Sequence, residues 1–263
     1  MSQPMLVCHG GAGHGAKDQP GVELAADAGW DILAGGGSAL EAVIAAVLVM
    51  EADPRLNAGI GGSLRDDGSV QLDAAIATSD GRLGCVMCIE NTPNPILVAS
   101  ALLDEQVHIL AGDGARTWAD TAGIARGEVA GSARPAATDT VGAVARDGKG
   151  EFAVASSTGG CTGRPSGRVG DTPIWGAGLW CDENLAVAAT GIGEDIILKM
   201  LSHNVAIHHQ VLVESPVSED VLAASLAHGI GLFNAETQVG LIAINSKDGI
   251  GLANTGMPWA LRD

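Results

Sequence analysis

Asp139-Thr140-Val141-Gly142-Ala143-Val144-Ala145 and, a few residues on, Glu151-Phe152-Ala153-Val154-Ala155-Ser156 decide how this chain is read. Both stretches run apolar between Gly and Asp turns, so Thr140–Ala145 and Glu151–Ser156 are expected to be strands. The segment before them, Gly123 to Thr138, is polar and rich in small residues, the composition of an exposed loop. A threonine therefore opens a buried strand directly after a loop. Its hydroxyl is a poor nucleophile without a base beside it. The α-amino group of the same residue, with a pKa of about 7.7–8.0, can be that base. That amine exists only once the Asp139–Thr140 peptide bond is cut. Threonine is common at the start of a strand, so this stretch alone leaves packing and chemistry both open.

Outward from it, the chain divides into two unlike halves. Upstream, Met5 to Cys8 is a short apolar run ending in His9-Gly10-Gly11-Ala12-Gly13, a strand entering a tight turn. Val22 to Leu33 has helical periodicity, Gly35-Gly36-Gly37 breaks it, and Ser38 with Glu41 forms a capping-box pair opening a helix to about Met50. Strands are expected at Ser63–Leu64, Val70–Ile76 and Gly84–Ile89, then a helix from Asn94-Pro95 to about Leu103. A strand at Val107–Leu110 and a helix at Gly114–Thr121 follow. Downstream come a strand at Leu185–Thr190, helices over Glu194–His209 and Ser218–Leu232, and a hairpin of Gly240–Ile244 with Gly249–Ala253. Two sheets face to face between helical layers are one natural solution for this order.

Composition narrows the function. The chain has 263 residues, 46% hydrophobic and 17% charged, with two Phe and no Tyr, so its core must be built from Ala, Val, Leu and Ile. A net charge of −17 argues against nucleic acid and anionic membranes as partners, because both are bound through Lys and Arg. An acidic protein handling an anionic small molecule needs a local basic residue, so an Arg near a glycine-rich loop draws notice. No signal-like N-terminal segment or spanning-length apolar run is seen, and the protein reads as cytoplasmic. Cys85 and Cys88 have CxxC spacing but no partner pair, and read as two residues of a buried strand. His203, His208 and His209 read as surface or packing residues of one helix.

Two further motifs carry charge and glycine where chemistry would need them. In Gly167-Arg168-Val169-Gly170-Asp171-Thr172-Pro173, Arg168 offers a planar fork for a carboxylate, and Asp171 an anion for an ammonium. Together they suit an amino-acid head group, although a turn with a surface ion pair has the same pattern. Ala189-Thr190-Gly191-Ile192-Gly193-Glu194 ends a strand and begins a helix, where N–H groups can face an oxyanion. An ordinary strand-to-helix turn reads the same way.

The ordered set HGGAG, LNAGIGGSL, DTVGAVA, SSTGG, GRVGDTPIWGAG, ATGIGE and NTGMPWA resembles the plant-type asparaginases, a family that includes isoaspartyl peptidases and is similar to glycosylasparaginases and taspases. The resemblance runs from about Val7 to Ala260. It implies the α+β fold of the N-terminal-nucleophile (Ntn) hydrolases, a four-layer αββα sandwich formed by one domain, 1–263. It implies cleavage between Asp139 and Thr140 into 1–139 and 140–263, and hydrolysis of L-asparagine and β-aspartyl dipeptides. Thr140 matches the nucleophile and Thr158 the threonine that orients it. Arg168 matches the grip on the substrate α-carboxylate, and Asp171 with Gly193 the grip on its amine. Thr190 and Gly191 match the oxyanion hole, and Asn57 an asparagine near the nucleophile. No catalytic cofactor is implied. Met50, Glu51, Asp53, Leu56, Ala58 and Ile60 resemble a loop whose backbone carbonyls hold a structural sodium ion, and relatives are commonly dimers of cleaved heterodimers.

Departures bear on substrate and processing. Asp139 stands where plant-type enzymes usually have Gly, as in the glycosylasparaginase and taspase branches, so glycosyl-asparagine or protein substrates are the alternatives. The segment before Thr140 is short, Gly62 replaces a common Ser, and Ile192 replaces a usual His. An uncleaved, non-catalytic precursor is a further reading. Gly11-Ala12-Gly13-His14-Gly15-Ala16 weakly matches a dinucleotide-binding turn, without a second strand carrying the expected acid.

Overall fold

A computed structural model of the chain describes residues 2–13, 15–133, 140–215 and 220–263. In chain order the elements are β1 (Met5–His9), α1 (Gln19–Ala34), α2 (Ala39–Glu51), β2 (Leu72–Thr78), β3 (Leu83–Ile89), α3 (Pro95–Ala101), β4 (Ile109–Ala111), α4 (Gly112–Thr121), β5 (Val141–Arg146) and β6 (Phe152–Thr158). There follow β7 (Leu179–Cys181), β8 (Leu185–Gly191), α5 (Gly193–Lys199), α6 (Leu201–Val213), α7 (Val221–Gly231), β9 (Val239–Asn245), β10 (Gly249–Ala253) and β11 (Trp259–Arg262). Among the described residues no helix is long and apolar enough to cross a membrane.

The strands form a sheet ordered β11-β1-β5-β6-β2-β3-β4 and a second ordered β10-β9-β8-β7. Three apolar layers hold the stack. Leu6, Val43, Val47 and Met50 pack with Ala143 and Ala155 between α1/α2 and the large sheet. Val7, Ala75, Val144 and Val154 meet Ala186, Ala188, Ile242 and Ile244 between the sheets. Val187, Ala189 and Leu241 meet Leu201, Val205, Leu222 and Leu226 under α6 and α7. The result is the αββα sandwich. Strands buried on both faces show unbroken apolar runs, not alternation, and every residue of β5, β6, β8 and β9 is buried. Alanine and glycine bring the sheets close: a Cβ on Gly142 would lie 2.4 Å from His9 Nε2 and 3.2 Å from the Ala188 methyl.

Local signals explain the boundaries. Both halves of the Ser38–Glu41 capping box form at the start of α2. Cys85 and Cys88 lie on β3 as free thiols. Elsewhere the sequence expectation needs correction. Ser63–Leu64 is not a strand; Ser63 makes only an isolated bridge with Ser132. The periodic run over Glu194–His209 is two helices, broken at Met200, whose φ of 46° and ψ of 52° are left-handed. β7 and β11 were not expected; they complete the edges of the two sheets.

Candidate active site

The reversals marked in the sequence converge at one end of the sandwich. β5 runs antiparallel to β6 with Val141 opposite Ser157, and one more step of that register sets Thr140 against Thr158. Thr140 is buried, with Oγ1 3.2 Å from Oγ1 of Thr172. Beyond β6 the chain folds back at once, and Thr158 Oγ1 accepts the Gly160 N–H at 3.0 Å. Asp139 lies outside the described residues.

Arg168 and Asp171 come from the loop between β6 and β7. Arg168 donates through Nε and Nη2 to the two Glu194 oxygens, at 3.1 and 2.8 Å, and Arg164 stands behind that carboxylate at 3.8 Å. The pairing occupies one edge of the guanidinium fork and fixes its plane. Asp171 is buried, and among the described residues its Oδ2 has no hydrogen-bond partner. Burial pushes its pKa up to about 7, against the pull of the Arg168 charge. An orphaned buried carboxylate oxygen suits an incoming ammonium. Gly193 opens α5 against both groups: a Cβ there would lie 2.8 Å from Arg168 Nη2 and 3.0 Å from Asp171 Oδ1.

β8 delivers Thr190 and Gly191. The Ala12 N–H donates to Thr190 Oγ1 at 3.1 Å, so the hydroxyl proton of Thr190 can be given to another acceptor. Gly191 has φ of 148°, and a Cβ there would fall 2.4 Å from the Gln238 carbonyl oxygen. Asn57, fully buried, joins two loops: Nδ2 donates to the Gly160 carbonyl at 2.7 Å, while Oδ1 accepts the Ser63 N–H at 2.8 Å and its hydroxyl at 3.0 Å.

Thr140, Thr158, Arg168, Asp171, Gly191 and Gly193 line one small polar cleft, together with Gly160, Cys161, Gly170 and Thr172. Thr190 and Asn57 stand behind that lining. Sequence reasoning missed four contributors: Thr172, Glu194, Arg65 and Asp73. The first two were quoted within motifs without a role. Asp73 is a charge in the apolar run Leu72–Ile76, which is a readable signal, and it is fully buried. Its Oδ1 accepts the Cys88 N–H at 2.7 Å, which is where β3 bulges and Cys88 takes φ of 50°.

Among the described residues no group of three or more His, Cys, Asp or Glu could hold a metal ion. The 50–60 loop offers backbone oxygens instead. Carbonyls of Met50, Asp53 and Ala58 accept the N–H groups of Asp53, Leu56 and Gly61 at 3.1–3.2 Å. Gly59, at φ of 51°, leaves open the space before the Glu51 carbonyl, which a Cβ would approach to 2.3 Å. Such oxygens suit a hard cation.

The asparaginase family profile matches residues 2–130 and 127–262. The isoaspartyl peptidase/L-asparaginase of Macaca fascicularis is 36% identical over 292 residues, covering 98% of this chain and 92% of its own. The Homo sapiens protein of the same name is also 36% identical, with 98% and 92% covered. That of Danio rerio is 37% identical over 78% of this chain and 76% of its own.

Proposed function

The chain belongs to the asparaginase family, and from that membership we propose that it is a self-processing threonine amidohydrolase acting on L-asparagine and β-aspartyl dipeptides. The observation that carries the reading is one cleft shared by the strand-initial Thr140, the Arg168 fork and the unpartnered carboxylate oxygen of Asp171. In this reading the Thr140 hydroxyl first attacks the Asp139 carbonyl, the adduct expels the Thr140 nitrogen as the free α-amine, and water hydrolyses the resulting ester to restore the hydroxyl. Fragments 1–139 and 140–263 remain together, because β5 and β6 of the second lie between β1 and β2 of the first in the large sheet.

In turnover, Arg168 takes the α-carboxylate through the N–H groups that Glu194 does not use, and Asp171 takes the α-ammonium. Thr140 attacks the side-chain amide carbon while its own amine accepts the hydroxyl proton. That proton passes to the departing nitrogen, which leaves as ammonia or an amino acid. The tetrahedral oxyanion receives the Thr190 hydroxyl and the Gly191 N–H, an interaction worth about 3–4 kcal/mol per donor in comparable sites. Water then cleaves the β-aspartyl ester. Thr158 holds the nucleophile from the neighbouring strand. The chemistry calls on no cofactor. A structural sodium ion would be held by the carbonyls of Met50, Glu51, Asp53, Leu56, Ala58 and Ile60, steadying the loop that carries Asn57.

We further place the enzyme in the cytoplasm as a dimer of cleaved heterodimers, a state supported by the exposed Ile207, Val211 and Val213 on α6. Intact mass with N-terminal sequencing tests the central reading. Two chains are expected, the smaller beginning at Thr140, together with hydrolysis of L-asparagine or isoaspartyl dipeptides and a loss of both cleavage and turnover in Thr140→Ala. Full turnover by an uncut chain would refute it. Glycosyl-asparagine in the substrate panel separates the neighbouring specificity.

A further inference from the structure

Behind the cleft stands a second arginine for which the reaction above has no use. Arg65 follows the glycine-rich turn Gly59–Gly62, and it is buried to 3% exposure. Among the described residues one hydrogen bond holds its head, Nη2 donating to the Gln71 carbonyl at 3.1 Å, and Nε and Nη1 have no hydrogen-bond partner. A buried guanidinium with unmatched N–H groups is costly, and its retention asks for a reason.

Its surroundings supply one. A Cβ on Gly160, which lines the cleft, would be 3.1 Å from Arg65 Nη1 and 3.3 Å from Arg168 Nη1. The two guanidinium groups therefore converge on the same bare glycine. Asp73 feels both charges; it is fully buried, and among the described residues its Oδ2 has no hydrogen-bond partner. Burial raises its pKa to about 6, and the charges of Arg65 and Arg168 both work against that rise. With both carboxylates ionised, the buried set Arg65, Arg168, Asp73 and Asp171 is balanced, two charges of each sign. Without Arg65 it carries an excess negative charge, and Asp73 competes with the ligand for Arg168.

We propose that Arg65 is a specificity-determining residue, a second cation that selects substrates bearing a free, ionised α-carboxylate. The inference rests on the head-group reading of Arg168 and Asp171. Arg65 works through space, by offsetting the Asp73 charge, without touching the reacting atoms, so its influence falls on binding. Low dielectric around the cluster lets a charge act over several ångströms with little screening.

The test compares wild type, Arg65→Gln and Arg65→Lys on L-asparagine and on its α-carboxamide analogue, which keeps the ammonium and the scissile amide. Arg65→Gln should raise KM for L-asparagine about tenfold, the scale of one buried charge at this range, with kcat changed less than twofold. For the analogue, kcat/KM should change less than twofold, so discrimination between the substrates shrinks. Arg65→Lys should recover most of the affinity. Equal losses on both substrates, an unchanged KM for L-asparagine, or no recovery with Lys would each overturn the proposal. If Arg65→Gln does not fold, the double variant Arg65→Gln/Asp73→Asn keeps the buried charge balanced and is expected to bind L-asparagine within about threefold of wild type; tenfold weakening there would also overturn it. Absence of turnover in the wild type would instead refute the underlying reading of the site, which separates the two failures.

Discussion

Oγ1 of Thr172 stands 3.2 Å from Oγ1 of Thr140, and both hydroxyls are buried. A lone threonine hydroxyl rotates freely among its rotamers, but one paired with a fixed neighbour has its oxygen aimed. Thr172 is held in turn by the Asp171 loop, so nucleophile and head-group site share one frame. Thr172→Val keeps the shape and removes the partner. It should slow turnover by about tenfold to a hundredfold, the cost of a misaimed reacting group, while Thr172→Ser should keep most of the rate. Steady-state kinetics on L-asparagine, with gels to follow maturation, checks both.

Gly193 is the second point where the frame tolerates no addition. A methyl group there meets Arg168 Nη2 at 2.8 Å, closer than real Cβ atoms come, and Asp171 Oδ1 at 3.0 Å, at the tight edge of such contacts. Neither neighbour yields readily, since Glu194 fixes the guanidinium through two hydrogen bonds. Gly193→Ala should leave cleavage at Thr140 largely intact, because the clash is with the head-group residues. Substrate capture should fall by about a hundredfold in kcat/KM. A variant with normal KM would show that the head group binds elsewhere.

Much of the site was legible because its residues interrupt apolar patterns. Arg168 and Asp171 are charges among glycines, and Gly191 and Gly193 sit where a strand stops. Asp73 broke an apolar strand too, but a single buried acid does not say what it faces. Arg65 was hidden differently: it begins the charged turn Arg65-Asp66-Asp67, which reads as solvated surface, and only the tertiary fold buries it. The fold was legible where patterns are long. β7 has three residues and β11 four, too few for periodicity to register, and both exist because a sheet edge is there to pair with. The α5–α6 break at Met200 was invisible for the opposite reason, since the apolar spacing continues across a left-handed residue.

Asp171 makes binding depend on pH in a stated direction. Its pKa is pushed up to about 7, above the ordinary 3.8, so the buried acid favours folding below about pH 4 and that contribution is lost as pH rises through 7. The ammonium of the ligand needs the ionised form. Below pH 7 binding must therefore release a proton, and affinity for L-aspartate should fall about tenfold per pH unit. Calorimetry in buffers of different ionisation heat should detect that proton at pH 6 and not at pH 8. In Asp171→Asn, proton release should vanish together with tight binding, and the ligand-free protein should gain thermal stability at pH 8.

Asn57 tests whether a residue near the nucleophile acts on it or on the scaffold. Its side chain joins Ser63 to Gly160, and its own carbonyl accepts the Gly159 N–H at 3.0 Å, so the glycine turn after β6 hangs from it. Asn57→Ala strips partners from a buried N–H and a buried carbonyl, each costing about 1–3 kcal/mol. The melting temperature should drop by several degrees, on the order expected for such a loss in a chain of this size. Gly160 bounds the cleft beside Arg65 and Arg168, so loosening it should raise KM as well. Asn57→Asp keeps the acceptor for Ser63 but sets a buried carboxylate oxygen against the Gly160 carbonyl, and should be no more stable than Ala. If Asn57→Ala instead lost kcat by orders of magnitude at unchanged melting temperature, the asparagine would act on the reacting atoms and the scaffold reading would be wrong.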